Sequence, residues 1–172
     1  APASVSAEKV SSSESSSSAN SGRAVQARET LNRILSLMDF NLRPTVISES
    51  PEEIQIDLVG VDEERAIGRT GETLLSLQFL VNRIVSNREA SDTPSEQVIV
   101  LDSAGYRRRR KGALEELARR LAIEVLREHR PVRLSPMSAH DRRVFHLALA
   151  DESGVVTRSQ GDGLYRRLLI LP

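Results

Sequence analysis

Two short patterns in this chain carry residue types suited to holding phosphates. The first, Gly68-Arg69-Thr70-Gly71, brackets two polar residues between glycines. Glycine has no side chain to intrude, so such a loop lets backbone approach a ligand closely, and the N–H groups that open a following helix favour an anion. Arg69 adds positive charge where a phosphate would pass, and Thr70 adds a hydroxyl donor. In the second pattern Arg142 and His146 are one helical turn apart and share a face, with Arg143 adjacent and Asp141 ahead of them. Leu134-x-Pro136-Met137 lies upstream, and Gly154-Val155-Val156-Thr157-x-Ser159-x-Gly161 followed by Arg166-Arg167 lies downstream. Thr157, Ser159 and Arg166 supply hydroxyl and guanidinium donors that could converge on the same phosphates. Taken alone, a tight turn between helices explains the first pattern better, and a solvated arginine beside a core-edge histidine explains the second.

Other chemistries find little to work with. There is no cysteine, so disulfides, thiolate catalysis and Cys-based zinc sites are excluded. His129, His140 and His146 lie in three different segments without metal-ligand spacing, and no H-E-x-x-H, Walker loop or G-x-S-x-G is present. Asp141 with His146 could be imagined as a hydrolytic pair, but an acid opening a helix is better explained by the helix dipole. No enzyme activity, cofactor or metal is expected. Phe40, Phe79, Tyr106, Phe145 and Tyr165 are too few for an extended base-stacking platform, which leaves Tyr106 and Tyr165 as candidate stackers.

The elements that must position these residues follow from apolar spacing. Ser4 to Ser21 offers almost no apolar surface, so residues 1–23 are expected to form a disordered Ser-rich tail. From Arg23, the residues Ala27, Leu31, Ile34, Leu35 and Met38 fall at helical spacing, and Pro44 closes the segment. Thr45–Ser48 and the alternating Ile54, Ile56 and Leu58 predict a hairpin turning at Ser50-Pro51-Glu52-Glu53. Asp62 can cap a short helix over Glu63–Ile67, and the glycine loop then leads into a helix over Glu72–Asn87 that buries Leu74, Leu77, Val81, Ile84 and Val85. Val98–Leu101 is an apolar run suited to a central strand. Residues 24–103 therefore read α-β-β-α-α-β, the order of a type II KH domain, whose loop between the second and third helices clamps nucleotides.

Residues 104–172 read as a small α/β domain. The basic run Arg107 to Lys111 opens a long amphipathic helix with Leu114, Leu117, Leu121 and Val125 on one face, ended by Pro131. A short strand over Val132–Leu134, a helix over Ser138–Ala150 and strands over Val155–Thr157 and Leu168–Leu171 complete it. Positive charge at a helix start conflicts with the dipole, so Arg107, Arg108 and their neighbours want a compensating anion. Phosphates would serve, and so would acidic groups of the first domain.

The chain's net charge of zero hides an asymmetry. Residues 24–103 hold 7 arginines against 14 acidic residues, a net −7, whereas residues 104–172 hold 15 basic residues against 8 acidic ones, a net +7. A phosphate backbone is drawn to the second half and opposed by the first. No apolar run reaches the roughly 20 residues that span a bilayer, and residues 1–23 lack a signal-peptide core, so a cytoplasmic protein without membrane insertion is expected.

The ordered set G-R-T-G-E-T-L-L-S-L-Q-F-L-V-N-R, L-D-S-A-G-Y-R-R-R-R, L-S-P-M, D-R-R-V-F-H and V-V-T-R-S-Q-G-D-G-L-Y-R-R-L-L-I-L-P resembles the Jag family, also called SpoIIIJ-associated protein or KhpB, over roughly residues 24–172. That family joins a KH domain to a small domain named for an Arg-x-x-x-His motif. The resemblance implies a non-catalytic, cytoplasmic, single-stranded RNA binder. Its KH loop falls on Gly68, Arg69, Thr70 and Gly71, and its Arg-x-x-x-His pair on Arg142 and His146. It further implies post-transcriptional control of bacterial cell elongation and division, and pairing through the KH domain, either with itself or with a small separate KH protein. Many members carry a further N-terminal domain where this chain has its Ser-rich stretch, and relatives commonly have a basic or bulky residue in place of Thr70. A protein-interaction scaffold and a single-stranded DNA binder are the alternative readings.

Overall fold

Residues 14–88 and 97–172 are described by a computed structural model, with residues 14–21, Arg88 and Leu164 described for their backbone alone. Helix α1 spans Glu14–Leu37 and is followed by strands β1, Leu42–Glu49, and β2, Glu53–Gly60. The short helix α2, Glu63–Ile67, precedes α3, Glu72–Arg88, and strand β3, Val98–Asp102. Helix α4, Tyr106–Glu128, then leads through β4, Val132–Arg133, α5, Ala139–Ala148, and β5, Val156–Gln160, to β6, Arg167–Leu171. The chain divides into two compact units, the first ending at Tyr106 and the second running from Arg107 to Pro172.

Part of the expected tail, residues 1–13, lies outside the described residues. From Glu14 onward the backbone is helical, so α1 starts ahead of Arg23 and Ala24, both of which are buried. Once a helix is nucleated, each added residue gains a hydrogen bond at the cost of fixing itself alone, which lets the helix run on into a serine-rich stretch of modest propensity.

In the first unit β1 pairs antiparallel with β2, and β2 parallel with β3, in the order β1-β2-β3. Leu31 and Leu35 of α1, Leu74, Leu77, Val81 and Val85 of α3, and Ile54, Ile56, Leu58, Ile99 and Leu101 of the sheet form the core, while Ile84 is half-buried. Pro44 lies inside β1, two residues after its start. An edge strand tolerates a residue without an N–H, and β1 is an edge. The run Val98–Leu101 is an edge strand as well, not the central strand its composition predicts. Side chains of α3 close the outer edge of β3: Asn82 accepts from the Ile99 N–H at 2.9 Å and donates to the Ile99 carbonyl at 2.7 Å, and Gln78 accepts from the Leu101 N–H at 3.0 Å.

The second unit packs α4 and α5 on one face of a three-stranded antiparallel sheet ordered β4-β6-β5. Phe145 of α5 and Leu168 and Ile170 of β6 are fully buried at its centre. The face that α4 presents differs from the leucine line expected. Leu114, Ala118, Ala122 and Val125 are the buried positions, and Leu117 and Leu121 flank them partly exposed. Alanine fills two of the four buried positions, and the leucines fill the margins.

Candidate nucleic-acid interface

The glycine loop joins α2 to α3 through two residues with positive φ, Gly68 at 73° and Gly71 at 82°. A Cβ on Gly68 would overlap the Thr73 hydroxyl, and one on Gly71 would stand 2.7 Å from a Tyr106 ring carbon, so glycine is required at both for conformation and for space. Tyr106 therefore packs against the loop, half-buried in the first unit's core, and is not free to stack on a base. Arg69 and Thr70 are exposed at the tip. Arg69 bonds to no described residue, whereas the Thr70 hydroxyl donates to the Glu72 carboxylate at 3.0 Å.

Asp62 does not cap α2 with its side chain. Its carboxylate accepts from the Asn41 N–H at 2.7 Å and from Arg65 at 2.9 Å, and these bonds, led by that from Asn41, hold its pKa below the usual carboxylate value. Arg65 in turn lies 4.6 Å from the centre of the Phe40 ring. Glu63 accepts from the Gly60 N–H at 3.1 Å. Two of the acids that crowd this loop in sequence are thus tied to the first unit's own backbone.

In the second unit, α5 and β5 bring four of the expected residues into one cluster. Ser138 caps α5 by accepting from the Asp141 N–H at 3.1 Å, which fixes the helix start and with it the direction of Arg142 and His146. Thr157 and Ser159, alternate residues of β5, face that helix. Arg142 Nη1 donates to Ser159 Oγ at 3.0 Å, with a longer contact of 3.5 Å from Nε to the Met137 carbonyl. His146 bonds through Nδ1 to Thr157 Oγ1 at 2.6 Å and through Nε2 to Ser159 Oγ at 3.1 Å.

Proton counting defines what this cluster offers. A neutral imidazole has one N–H and one lone pair, and each hydroxyl has one proton. If Nδ1 carries the ring proton, it donates to Thr157 and Ser159 donates to Nε2, so the Thr157 proton is unspent. If Nε2 carries it, the Ser159 proton is unspent instead. Either tautomer presents one hydroxyl donor beside a guanidinium, and among the described residues no carboxylate bonds into the group. Burial first, and the Arg142 charge second, hold the His146 pKa below the ordinary 6.5, which keeps the ring neutral near pH 7.

Asp141 is taken by a partner that local spacing does not reveal. It is buried and pairs with Arg110 of α4 at 2.9 Å, joining the starts of the two helices, and it makes no bond to His146. Part of the charge that conflicts with the α4 dipole is thereby met inside the second unit. Arg107 is half-buried in the first turn of α4, and Arg108, Arg143 and Arg166 are outside the cluster's bonds. The Arg166 carbonyl accepts from the Met137 N–H at 3.2 Å, next to the carbonyl that Arg142 approaches. Tyr165 is 77% exposed on the turn between β5 and β6, which leaves it the accessible tyrosine of the expected two. Among the described residues no group of His, Asp and Glu is placed to hold a metal ion, and no helix is long and apolar enough to cross a membrane.

Comparison with known proteins adds to this geometry. Residues 112–172 match the family described as the R-three-H domain. The chain is 38% identical to the RNA-binding protein KhpB of Clostridium symbiosum over 146 residues, which cover 84% of this chain and 64% of that protein. It is 29% identical to the RNA-binding protein KhpB of Bacillus subtilis over 126 residues, covering 72% of this chain and 59% of that one. For the protein of the same name from Lactiplantibacillus plantarum the identity is 34% over 104 residues, 60% of this chain and 31% of the relative. The match thus spans less than two thirds of the length of each of these relatives. The chain is similar over most of its own length to proteins named RNA-binding protein KhpB, and its second unit carries the match to the R-three-H domain.

Proposed function

We propose that this protein binds single-stranded RNA and catalyses no reaction. The observation that carries the reading is the Arg142–Ser159–His146–Thr157 cluster, a set of donors with an unspent hydroxyl proton, a partly exposed guanidinium and, among the described residues, no bonded carboxylate. A phosphate oxygen can accept from both the hydroxyl and the guanidinium. The names of the relatives, each an RNA-binding protein, support RNA as the ligand. Residues 104–172 act as the Arg-x-x-x-His domain, with Arg107, Arg108, Arg143 and Arg166 adding charge around the cluster. Residues 24–103 act as a type II KH domain, a reading supported by the α-β-β-α-α-β order and by the glycine loop between α2 and α3. Gly68, Arg69, Thr70 and Gly71 then lie along the backbone of the strand.

The setting of this activity is the bacterial cytoplasm, in post-transcriptional control linked to elongation and division. A second reading, pairing with another KH domain, is favoured by Phe79 and Leu80, which α3 leaves 69% and 45% exposed.

Binding of labelled oligouridylate to the whole chain tests the reading. Replacing Arg142→Gln removes a charge-assisted bond of about 1.5–3 kcal/mol, so affinity should fall roughly tenfold or more. The double change Arg69→Asp with Thr70→Asp should weaken binding as well. Unchanged affinity in both variants would overturn the assignment, and equal competition by oligodeoxyuridylate would make the ligand single-stranded nucleic acid in general.

A further inference from the structure

The second sheet has a face that neither helix of the second unit covers. Leu168 and Ile170 point into the core, so Arg167, Leu169 and Leu171 of β6 face the other way. On β5, Thr157 and Ser159 face α5, so Val156, Arg158 and Gln160 share that outer side. Register sets the rows across it: Arg133 and Arg158 both lie opposite Leu169, Gln160 lies opposite Arg167, and Val156 lies opposite Leu171.

Three properties of this face point to one kind of occupant. Arg133, Arg158 and Arg167 make no hydrogen bond or ion pair among the described residues, and none of the three strands contains an acid. The neighbouring acids in the chain, Glu152 and Asp162, lie outside the strands. A solvated sheet face ordinarily mixes charges of both signs, since isolated like charges across strands repel. Leu169 lies between Arg133 and Arg158, and Leu171 and Val156, the latter 60% exposed, form the neighbouring row, so the face combines cations with apolar surface. Guanidinium groups suit phosphates and stack on planar rings. β5 is also an edge strand whose consecutive residues alternate between the two sides: Thr157 and Ser159 belong to the cluster, and Arg158 between them belongs to the outer face.

We propose that the outer face of the second sheet is an additional single-stranded RNA contact surface, with Arg133, Arg158 and Arg167 holding phosphates around Leu169. The strand leaves the Arg142–His146 cluster, crosses the β5 edge at Thr157-Arg158-Ser159 and lies over the sheet. This rests on the RNA-binding reading above.

The test measures oligouridylate affinity of the whole chain between about 50 and 200 mM salt, where each phosphate neutralised on a single strand contributes a slope of about −0.7 in log K against log salt. In the variant Arg133→Gln, Arg158→Gln, Arg167→Gln, the slope should become shallower by about 2 and affinity at low salt should fall at least about tenfold. Arg158→Gln alone should flatten the slope by about 0.7, which keeps the test valid if the triple variant folds poorly. A control with the same charge removed from the exposed side of α4, Arg119→Gln, Arg120→Gln, Arg127→Gln, should change the slope less. If wild type binds, Arg142→Gln weakens it and the sheet variants bind like wild type, this proposal fails while the RNA-binding reading stands, and the face is left to an acidic protein partner. Equal losses in the sheet and control variants would also overturn it, because net charge would then explain both. If wild type does not bind oligouridylate, the underlying reading fails.

Discussion

His146 has a hydroxyl on each ring nitrogen, Thr157 at 2.6 Å and Ser159 at 3.1 Å, and its pKa is lowered by burial and then by Arg142. In the unfolded chain the ring charges near pH 6.5, while in the folded chain it stays neutral to lower pH. Between those two points the unfolded chain binds more protons. His146 therefore contributes stability that is fully present above about pH 6.5 and is lost as pH falls through its folded pKa. A bound phosphate favours the charged ring, on which both nitrogens donate and both hydroxyl protons are freed. NMR titration of the imidazole should place its midpoint below 6.5 in the free chain, higher with oligouridylate present, and higher in Arg142→Gln. A free-chain midpoint at or above 6.5, or one that RNA leaves in place, would contradict the cluster's role. The Arg142–His146 pair was legible because helical spacing alone puts two such residues on one face. The Arg110–Asp141 pair was not, since its partners come from different helices and the one signal was a basic run placed against a helix dipole.

Elements were legible where one side of the helix or strand is apolar. The alternation of Ile54, Ile56 and Leu58 located β2, and the glycines at 68 and 71 located the break before α3. What sequence reasoning missed depends on neighbours distant in the chain. Val98–Leu101 has the composition of a central strand but lies at an edge, because Asn82 and Gln78 of α3 supply the bonds another strand would have made. Replacing Asn82→Ala leaves the Ile99 N–H and carbonyl without those partners, and should lower unfolding free energy by about 1–3 kcal/mol in a denaturant titration. A loss within error would show that water serves that edge as well as the amide does. Ala118 and Ala122 were missed on α4 because a buried alanine adds little to an apolar pattern. The apolar spacing that located α1 begins at Arg23, while the helical backbone runs from Glu14, since a serine-rich composition says little about extending a helix already formed.

At the scale of the molecule, charge divides the work. The first unit carries the acidic surplus, and its loop offers Arg69 at the tip with Thr70 engaged by Glu72, a geometry suited to placing a strand more than to attracting one. The second unit carries the basic surplus, the donor cluster between α5 and β5 and the arginines of the sheet's outer face. Long-range attraction therefore belongs to the second unit and is sensitive to salt. RNA held at the Arg142–His146 cluster would move the amides of α5 and β5. The most direct measurement is to titrate the isotopically labelled whole chain with oligouridylate and follow every backbone amide by NMR. The largest shifts should fall at Arg142, His146, Thr157 and Ser159, with smaller ones at Gly68 to Gly71. Saturable binding that leaves the amides of β5 and α5 unmoved would contradict it.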